Sequence, residues 1–320
     1  MTFSPLAAKI VHSMQPYLPT TPTVVELGNQ RLSVTPDIIQ ECKNEKLNLP
    51  QSIQYEKLSQ LCAKTNKEKL DKTSEFFKLL GFADYKAIDL NSAYGSYSMD
   101  LNSDLEEKYG FKETFDLVTN NGTGEHIFNQ YSVFKNMHQL TAKNGIMLHI
   151  MPFVNWVNHG FFNFHPILYL DLAKVNNYKV VHLSIGVRTG EIVPVNLTDE
   201  YDYKKNVPHL YKNQENKSWK DALPSPLRKF LYNTKLSLNK AYKTSSINEL
   251  SVNEIVYGIK GSTDHALALA IDKLKKKNQN IFIVAALQKV EDSEFAMPVQ
   301  GKYFETIEPN ELQKTYEARA

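Results

Sequence analysis

Three carboxylates in the first third of the chain close short apolar runs: Glu26 in VVELGNQ, Asp89 in YKAIDLN and Asp100 in SMDLN. A carboxylate accepts hydrogen bonds from sugar hydroxyls and amides, and a glycine such as Gly28 lets a ligand approach the backbone, so this pattern suits a nucleotide-type ligand. The bland alternatives are a turn at Glu26–Gly28 and Asx turns at Asp89–Asn91 and Asp100–Asn102. A second group lies further along. Glu125 and His126 follow the apolar run of FDLVTNNGTGEHIFNQY, and His159 and His165 sit in NHGFFNFH beside Trp156, Phe161, Phe162 and Phe164. Imidazoles and carboxylates exchange protons near neutral pH, and an aromatic wall with a few polar groups makes a substrate pocket. An acid in the first turn of a helix also suits the macrodipole, and phenylalanines also simply pack.

Several chemistries are excluded by spacing. After Gly28 the next glycine is Gly81, so the G-x-G-x-x-G dinucleotide turn is absent, as is the phosphate loop G-x-x-x-x-G-K-[ST]. No H-x-x-x-H or H-E-x-x-H occurs, His159 and His165 are six apart, and a metal centre is therefore not expected. Cys42 and Cys62 are the only cysteines, which rules out a four-thiolate zinc site and a disulfide framework, and neither lies beside a histidine. No G-x-S-x-G is present to mark a serine nucleophile.

The elements that must hold these residues read as alternating strands and helices, the pattern of an α/β fold with a sheet covered by helices. Strands are expected at Val24–Leu27, Tyr85–Asp89, Phe115–Thr119, Gly145–Ile150, Val180–Val187 and Ile281–Val290, with a short one near Gly95–Met99, seven in all. Helices are expected over Lys69–Leu80, His126–Leu140 and His165–Asn176. In an open parallel sheet ligands sit beyond the carboxyl ends of the strands at the switch point, where Glu26, Asp89 and Asp100 would converge. Hydrophobic residues at 42% and charged residues at 22% of 320 fit an ordinary globular chain, taken here as one domain over residues 1–320. Insertions are expected at 31–66 and 202–245, over the carboxyl edge. The second holds ten Lys or Arg against three acids and reads as a solvated lid in preference to a nucleic-acid surface. With a net charge of +2, no apolar stretch of about 20 residues and no uninterrupted apolar run in MTFSPLAAKIVHSMQPYLP, neither nucleic acid nor membrane is an expected partner, and a cytoplasmic location is.

From Val24 to Tyr303 the order VVELG, YKAIDLN, SMDLN, VTNNGTGEHIFNQ, NGIMLHIMPF resembles that of class I S-adenosylmethionine-dependent methyltransferases. More narrowly, it is similar to a group sharing LGFADYKAIDLN, VTNNGTGEHIFNQ, WVNHGFFNFHP and a final K-x-x-D-S-x-F-x-x-P-x-Q-G-x-Y. The resemblance implies a Rossmann-like, doubly wound, mostly parallel seven-stranded sheet whose last strand is antiparallel. It also implies S-adenosylmethionine as cofactor and a small or medium-sized acceptor. Glu26 and Gly28 match the first motif, Asp89, with Asn91 next to it, the ribose-binding acid, and Asp100 or Leu101 the position beside adenine. Asn120, Asn121 and Gly122 match the fourth-strand end that faces the methyl group. The usual glycine-rich first turn is here E-L-G-N-Q-R-L, so Asn29 and Gln30 would supply polar contacts in its place. Glu125, His126 and His159 are then the candidates on the acceptor side. The alternative is a non-catalytic scaffold that keeps the sheet.

Overall fold

The computed structural model describes residues 2–47, 49, 52–68, 72–196, 250–251, 270–271, 274 and 280–298. In chain order the strands are β1 (Thr2–Phe3), β2 (Thr23–Leu27), β3 (Arg31–Leu32), β4 (Asp84–Asp89), β5 (Tyr97–Ser98), β6 (Phe115–Asn121), β7 (Thr141–Val154), β8 (Lys179–Val187), β9 (Ile192–Asn196), β10 (Leu250–Ser251) and β11 (Ile281–Gln288). The α-helices are α1 (Pro5–Met14), α2 (Pro36–Asn44), α3 (Tyr55–Glu68), α4 (Thr73–Leu79), α5 (Leu105–Tyr109), α6 (Gln130–Leu140) and α7 (Pro166–Val175).

One sheet runs in the order β10-β9-β8-β11-β7-β6-β2-β4-β5, and β1 and β3 form a separate parallel pair. β5, β4, β2, β6 and β7 are mutually parallel. β11 enters between β7 and β8 antiparallel to both. Its residues Ile281–Leu287 are all buried, as expected of a strand covered on both faces. All seven expected strands are present, and the expected antiparallel strand is β11. The sheet is longer than expected by two strands, β9 and β10, on the outer side of β8. Gly190, with φ of +99°, closes a tight turn in which Gly190 N donates to Val187 O at 2.9 Å, and the chain doubles back as β9 along what would otherwise be an open edge.

Strand alternation sends Val25, Leu27, Ile88 and Val118 to one face, where α6 and α7 cover them with Val133, Met137, Ile167 and Leu170. Val24, Leu117, Leu148 and Ile150 point to the other face, under Leu6 and Ile10 of α1, Ile38 of α2, Leu58 of α3 and Phe76 and Phe77 of α4. The 31–66 stretch thus supplies β3, α2 and α3, whose apolar sides join this second layer and bury both cysteines. Burial pushes each thiol up to about 12, which leaves both un-ionised and unreactive at neutral pH. The basic 202–245 stretch lies outside the described residues. No helix among the described residues is long and apolar enough to cross a membrane.

The helix expected over His126–Leu140 is corrected: α6 starts at Gln130, because the Asn129 side chain accepts from Ser132 N at 3.2 Å and caps it there. Gly124–His126 form a separate 3₁₀ turn. The helix expected over Lys69–Leu80 is α4 from Thr73 to Leu79, residues 69–71 lying outside the described set.

Candidate active site

β2 lies between β4 and β6, so the chain leaves it in one direction and later returns on its other side. The crevice beyond the carboxyl ends of β2, β4 and β6 is the switch point of the sheet. At the end of β2 the backbone turns left-handed at Gly28, φ +78°. Gly28 N donates to Ile88 O at 2.7 Å, and the Thr123 hydroxyl donates to Leu27 O at 2.5 Å. A Cβ at residue 28 would stand 2.2 Å from Thr123 Oγ1, so glycine is required for the β6 loop to close on this turn. The polar residues that replace further glycines are engaged. Asn29 N donates to Asp89 Oδ2 at 2.9 Å, its side-chain amide donates to Ala93 O at 2.6 Å, and Gln30 Nε2 donates to Asn121 O at 3.0 Å. Glu26 is enclosed between strands, with Tyr85 OH donating to its Oε2 at 2.8 Å.

On the β4 and β5 side, Asp89 is half-buried, and its Oδ1 accepts from the Asn91 side chain at 3.1 Å. Asp100 accepts from Asn102 N at 2.9 Å and from the Asn102 amide at 3.0 Å, and the backbone bond from Asn102 holds its carboxyl below the usual range. Both expected Asx turns are therefore formed, and both carboxylates remain partly exposed beside the crevice. Leu101 is buried in the core.

On the β6 and β7 side the polar groups are enclosed. Asn120 Oδ1 accepts from Gly124 N at 2.8 Å, while Asn120 Nδ2 and Asn121 Nδ2 have no partner among the described residues. Gly122, φ +69°, donates its N–H to Ile150 O at 3.0 Å and turns the chain toward Glu125. Glu125 is 0% exposed and held from outside by the β7–α7 loop, where Phe161 N donates to Glu125 O at 2.8 Å. A Cβ on Gly160 would stand 2.7 Å from Glu125 Cγ, so this loop also needs its glycine. His159 Nε2 stands 3.2 Å and His126 Nε2 3.7 Å from the same atom, Glu125 Oε1, and the two rings are 4.9 Å apart. Trp156 packs on His159 at 4.6 Å and donates from Nε1 to Ile281 O at 2.9 Å. Burial pushes Glu125 up to about 7 and His126 down from its ordinary value.

The three acceptor-side candidates therefore meet, although 34 residues separate Glu125 from His159. Asn121, Gly122, Glu125, Trp156 and His159 line a cavity of about 130 Å³, together with Thr2, Ser4, Phe282 and Arg188. Arg188 and the N-terminal residues carried no spacing signal, although Arg188 does directly follow a strand end. Phe162, Phe164 and His165 line a different cavity of about 380 Å³ with Tyr131, Phe134 and Phe295, so of the expected aromatic wall Phe162 and Phe164 are parted from His159 while Trp156 stays with it. His165 caps α7, its Nδ1 accepting from Ile167 N at 3.2 Å.

This strand order, with β11 antiparallel between β7 and β8, is that of a Rossmann-like, doubly wound, mostly parallel α/β sheet. No protein family and no curated protein matches the chain. Among solved structures it is similar to the O-methyltransferase from a trans-AT PKS multienzyme of Brevibacillus brevis in complex with S-adenosyl-L-homocysteine, at 11% identity and TM-score 0.33, over 88% of this chain and 71% of that one. An S-adenosylmethionine dependent methyltransferase from Mesorhizobium loti is similar at 12% identity and TM-score 0.28, over 86% and 95%. PKMT2 from Rickettsia typhi, in complex with AdoHcy, is similar at 10% identity and TM-score 0.26, over 94% of this chain and 56% of that one.

Proposed function

We propose that this chain is an enzyme that transfers a methyl group from S-adenosylmethionine to a small or medium-sized acceptor. The observation that carries the reading is the division of the switch point: partly exposed carboxylates at the β4 and β5 ends, and a buried carboxylate with two imidazoles beyond β6. The residues fit the cofactor, since Asp89 and Asp100 are partly exposed beside the crevice and Asn121 has a buried amide N–H without a partner among the described residues. Asp89 and Asn91 would hold the ribose, Asp100 the adenine side with the buried Leu101 behind it, and Gly28, Asn29, Asn120, Asn121 and Gly122 the amino-acid end. Glu26 and Gln30, both enclosed, would shape the turn. The cofactor would supply a methyl group on a sulfonium, a good leaving group in an in-line displacement.

The protein's task is then to align the acceptor atom and to take up any proton it loses. His159 Nε2 and His126 Nε2 reach the partly open side of the trio, each side chain being 37% exposed, and Glu125 Oε1 holds His159 in place. Together they form a proton acceptor at the end of β6, next to the proposed methyl position, and Trp156 shields one side of it from water.

Calorimetric titration with S-adenosylmethionine and S-adenosylhomocysteine tests the cofactor, and a screen of metabolite extracts for cofactor-dependent methylation tests the reaction. Tight binding with turnover is expected. Asn29 and Gln30, which occupy the first turn with their own hydrogen bonds, favour the second reading, a non-catalytic scaffold; an absence of cofactor binding would establish it over the first.

A further inference from the structure

Glu125, His126 and His159 are the one group of three or more metal-ligand side chains among the described residues whose donor atoms converge, all within 4.8 Å of one another. Donors bound to one first-row cation at about 2.0–2.2 Å stand roughly 3.0–3.6 Å apart in octahedral or tetrahedral geometry. The two measured separations from Glu125 Oε1, 3.2 Å to His159 Nε2 and 3.7 Å to His126 Nε2, are close to that range. A second observation points the same way. Glu125 Oε2, the other oxygen of that carboxylate, has no hydrogen-bond partner among the described residues on a residue that is itself 0% exposed, and an enclosed carboxylate left half-paired is costly unless something else, such as a cation held by both oxygens, satisfies it.

We propose that this trio is a binding site for one divalent first-row cation, with Glu125 as the carboxylate ligand and the Nε2 atoms of His126 and His159 as the other two. Three protein ligands leave coordination positions open, and the partial exposure of both imidazoles puts those positions toward solvent and an incoming acceptor. The ligands come from rigid supports: Glu125 is clamped by Phe161 N and by the close approach of Gly160, and His159 is backed by Trp156. The inference rests on the methyl-transfer reading only for its purpose. An oxygen acceptor, a hydroxyl or carboxylate able to take an open position, becomes the preferred substrate class, because a cation makes a bound hydroxyl easier to deprotonate. Without the cation the imidazoles take the proton; with it they become ligands.

The test titrates the metal-stripped full chain with ZnCl₂ and, separately, MnCl₂ by calorimetry, with no methyl donor or acceptor present. One cation per chain is expected for at least one of the two metals. Affinity should fall more than about 10–100-fold, the usual cost of losing an outer-shell partner, in Glu125→Gln, His126→Ala and His159→Ala. His165→Asn, which keeps an acceptor at the α7 cap, should bind like the parent. The two histidines are partly exposed, so their variants keep the test open should Glu125→Gln fail to fold. Binding that persists unchanged in both histidine variants overturns the proposal, and so does the absence of binding of either metal to the parent. Neither result depends on S-adenosylmethionine, so failure here and failure of the cofactor titration are separate outcomes.

Discussion

At the ends of β4 and β5 each carboxylate is tied to an asparagine two residues on, Asp89 to Asn91 and Asp100 to Asn102, and keeps part of its surface in water. Around β6, β7 and α7 the arrangement is reversed: Glu125 Oε2, Asn120 Nδ2, Asn121 Nδ2, His149 Nδ1 and the Tyr169 hydroxyl are buried and have no hydrogen-bond partner among the described residues. A satisfied exposed turn costs little, whereas each buried unpaired polar atom costs about 1–3 kcal/mol. The first half is a surface made ready for a polar ligand. The second half holds polar groups whose burial asks for a further partner.

Separating binding from turnover is the most direct way to break this contrast. His126→Ala and His159→Ala are expected to lower turnover by about 10²–10⁴-fold, the usual contribution of a positioned proton acceptor, with cofactor affinity nearly unchanged. Full turnover in both variants would remove the imidazoles from the site. Next in size is the opposite pattern at Asp89. Asp89→Ala removes charge-assisted hydrogen bonds worth about 1.5–3 kcal/mol each, so S-adenosylmethionine affinity should fall at least about tenfold in a folded protein. Unaltered affinity in a titration would end the ribose assignment.

The two halves were unequally legible in the sequence for a physical reason. The Asp89 and Asp100 sites are local, each an acid closing an apolar run with an asparagine two residues later, and the predicted turns are present. The central seven strands were legible because long buried runs such as Ile281–Leu287 have few alternatives. The trio was legible only as residue types. Its geometry depends on where α6 begins, and Asn129 rather than the expected first turn near His126 sets that point. Convergence on Glu125 Oε1 further depends on Gly160 permitting a backbone approach between segments far apart in sequence. The β9 and β10 edge was missed because Arg188–Glu191 is short and carries only one glycine, so the turn was not recognised.

The enclosed polar layer makes a third prediction, this time of stability against pH. Burial pushes His149 down to about 3 from an ordinary 6.5, and pushes His182 of β8 down to about 4. The unfolded chain takes up these protons near pH 6.5 and the folded chain does not, so the stability is fully present above 6.5 and is lost as pH falls below it. By pH 5 each histidine should account for a loss of roughly 2 kcal/mol. In His149→Phe, whose ring would lie against Phe134 and Tyr169, denaturant titrations at pH 7.5 and 5 should show about half the parent's combined loss from the two histidines. An unchanged pH slope would mean that His149 is not held neutral.

The smallest effect is expected where two histidines of one segment part company. His159 and His165 lie in the same run, NHGFFNFHP, yet His159 faces Glu125 at 3.2 Å while His165 accepts from Ile167 N at the start of α7. Removing a helix cap costs about 1 kcal/mol and touches no reacting atom. His165→Ala should therefore lower the melting temperature slightly, His165→Asn should restore it, and both should keep the parent's cofactor affinity and turnover. His159→Ala should do the reverse, changing turnover far more than melting temperature. If turnover in His165→Ala fell as far as in His159→Ala, the aromatic stretch would be acting as one recognition surface, and the division between the 130 Å³ cavity and its 380 Å³ neighbour would not correspond to a division of roles.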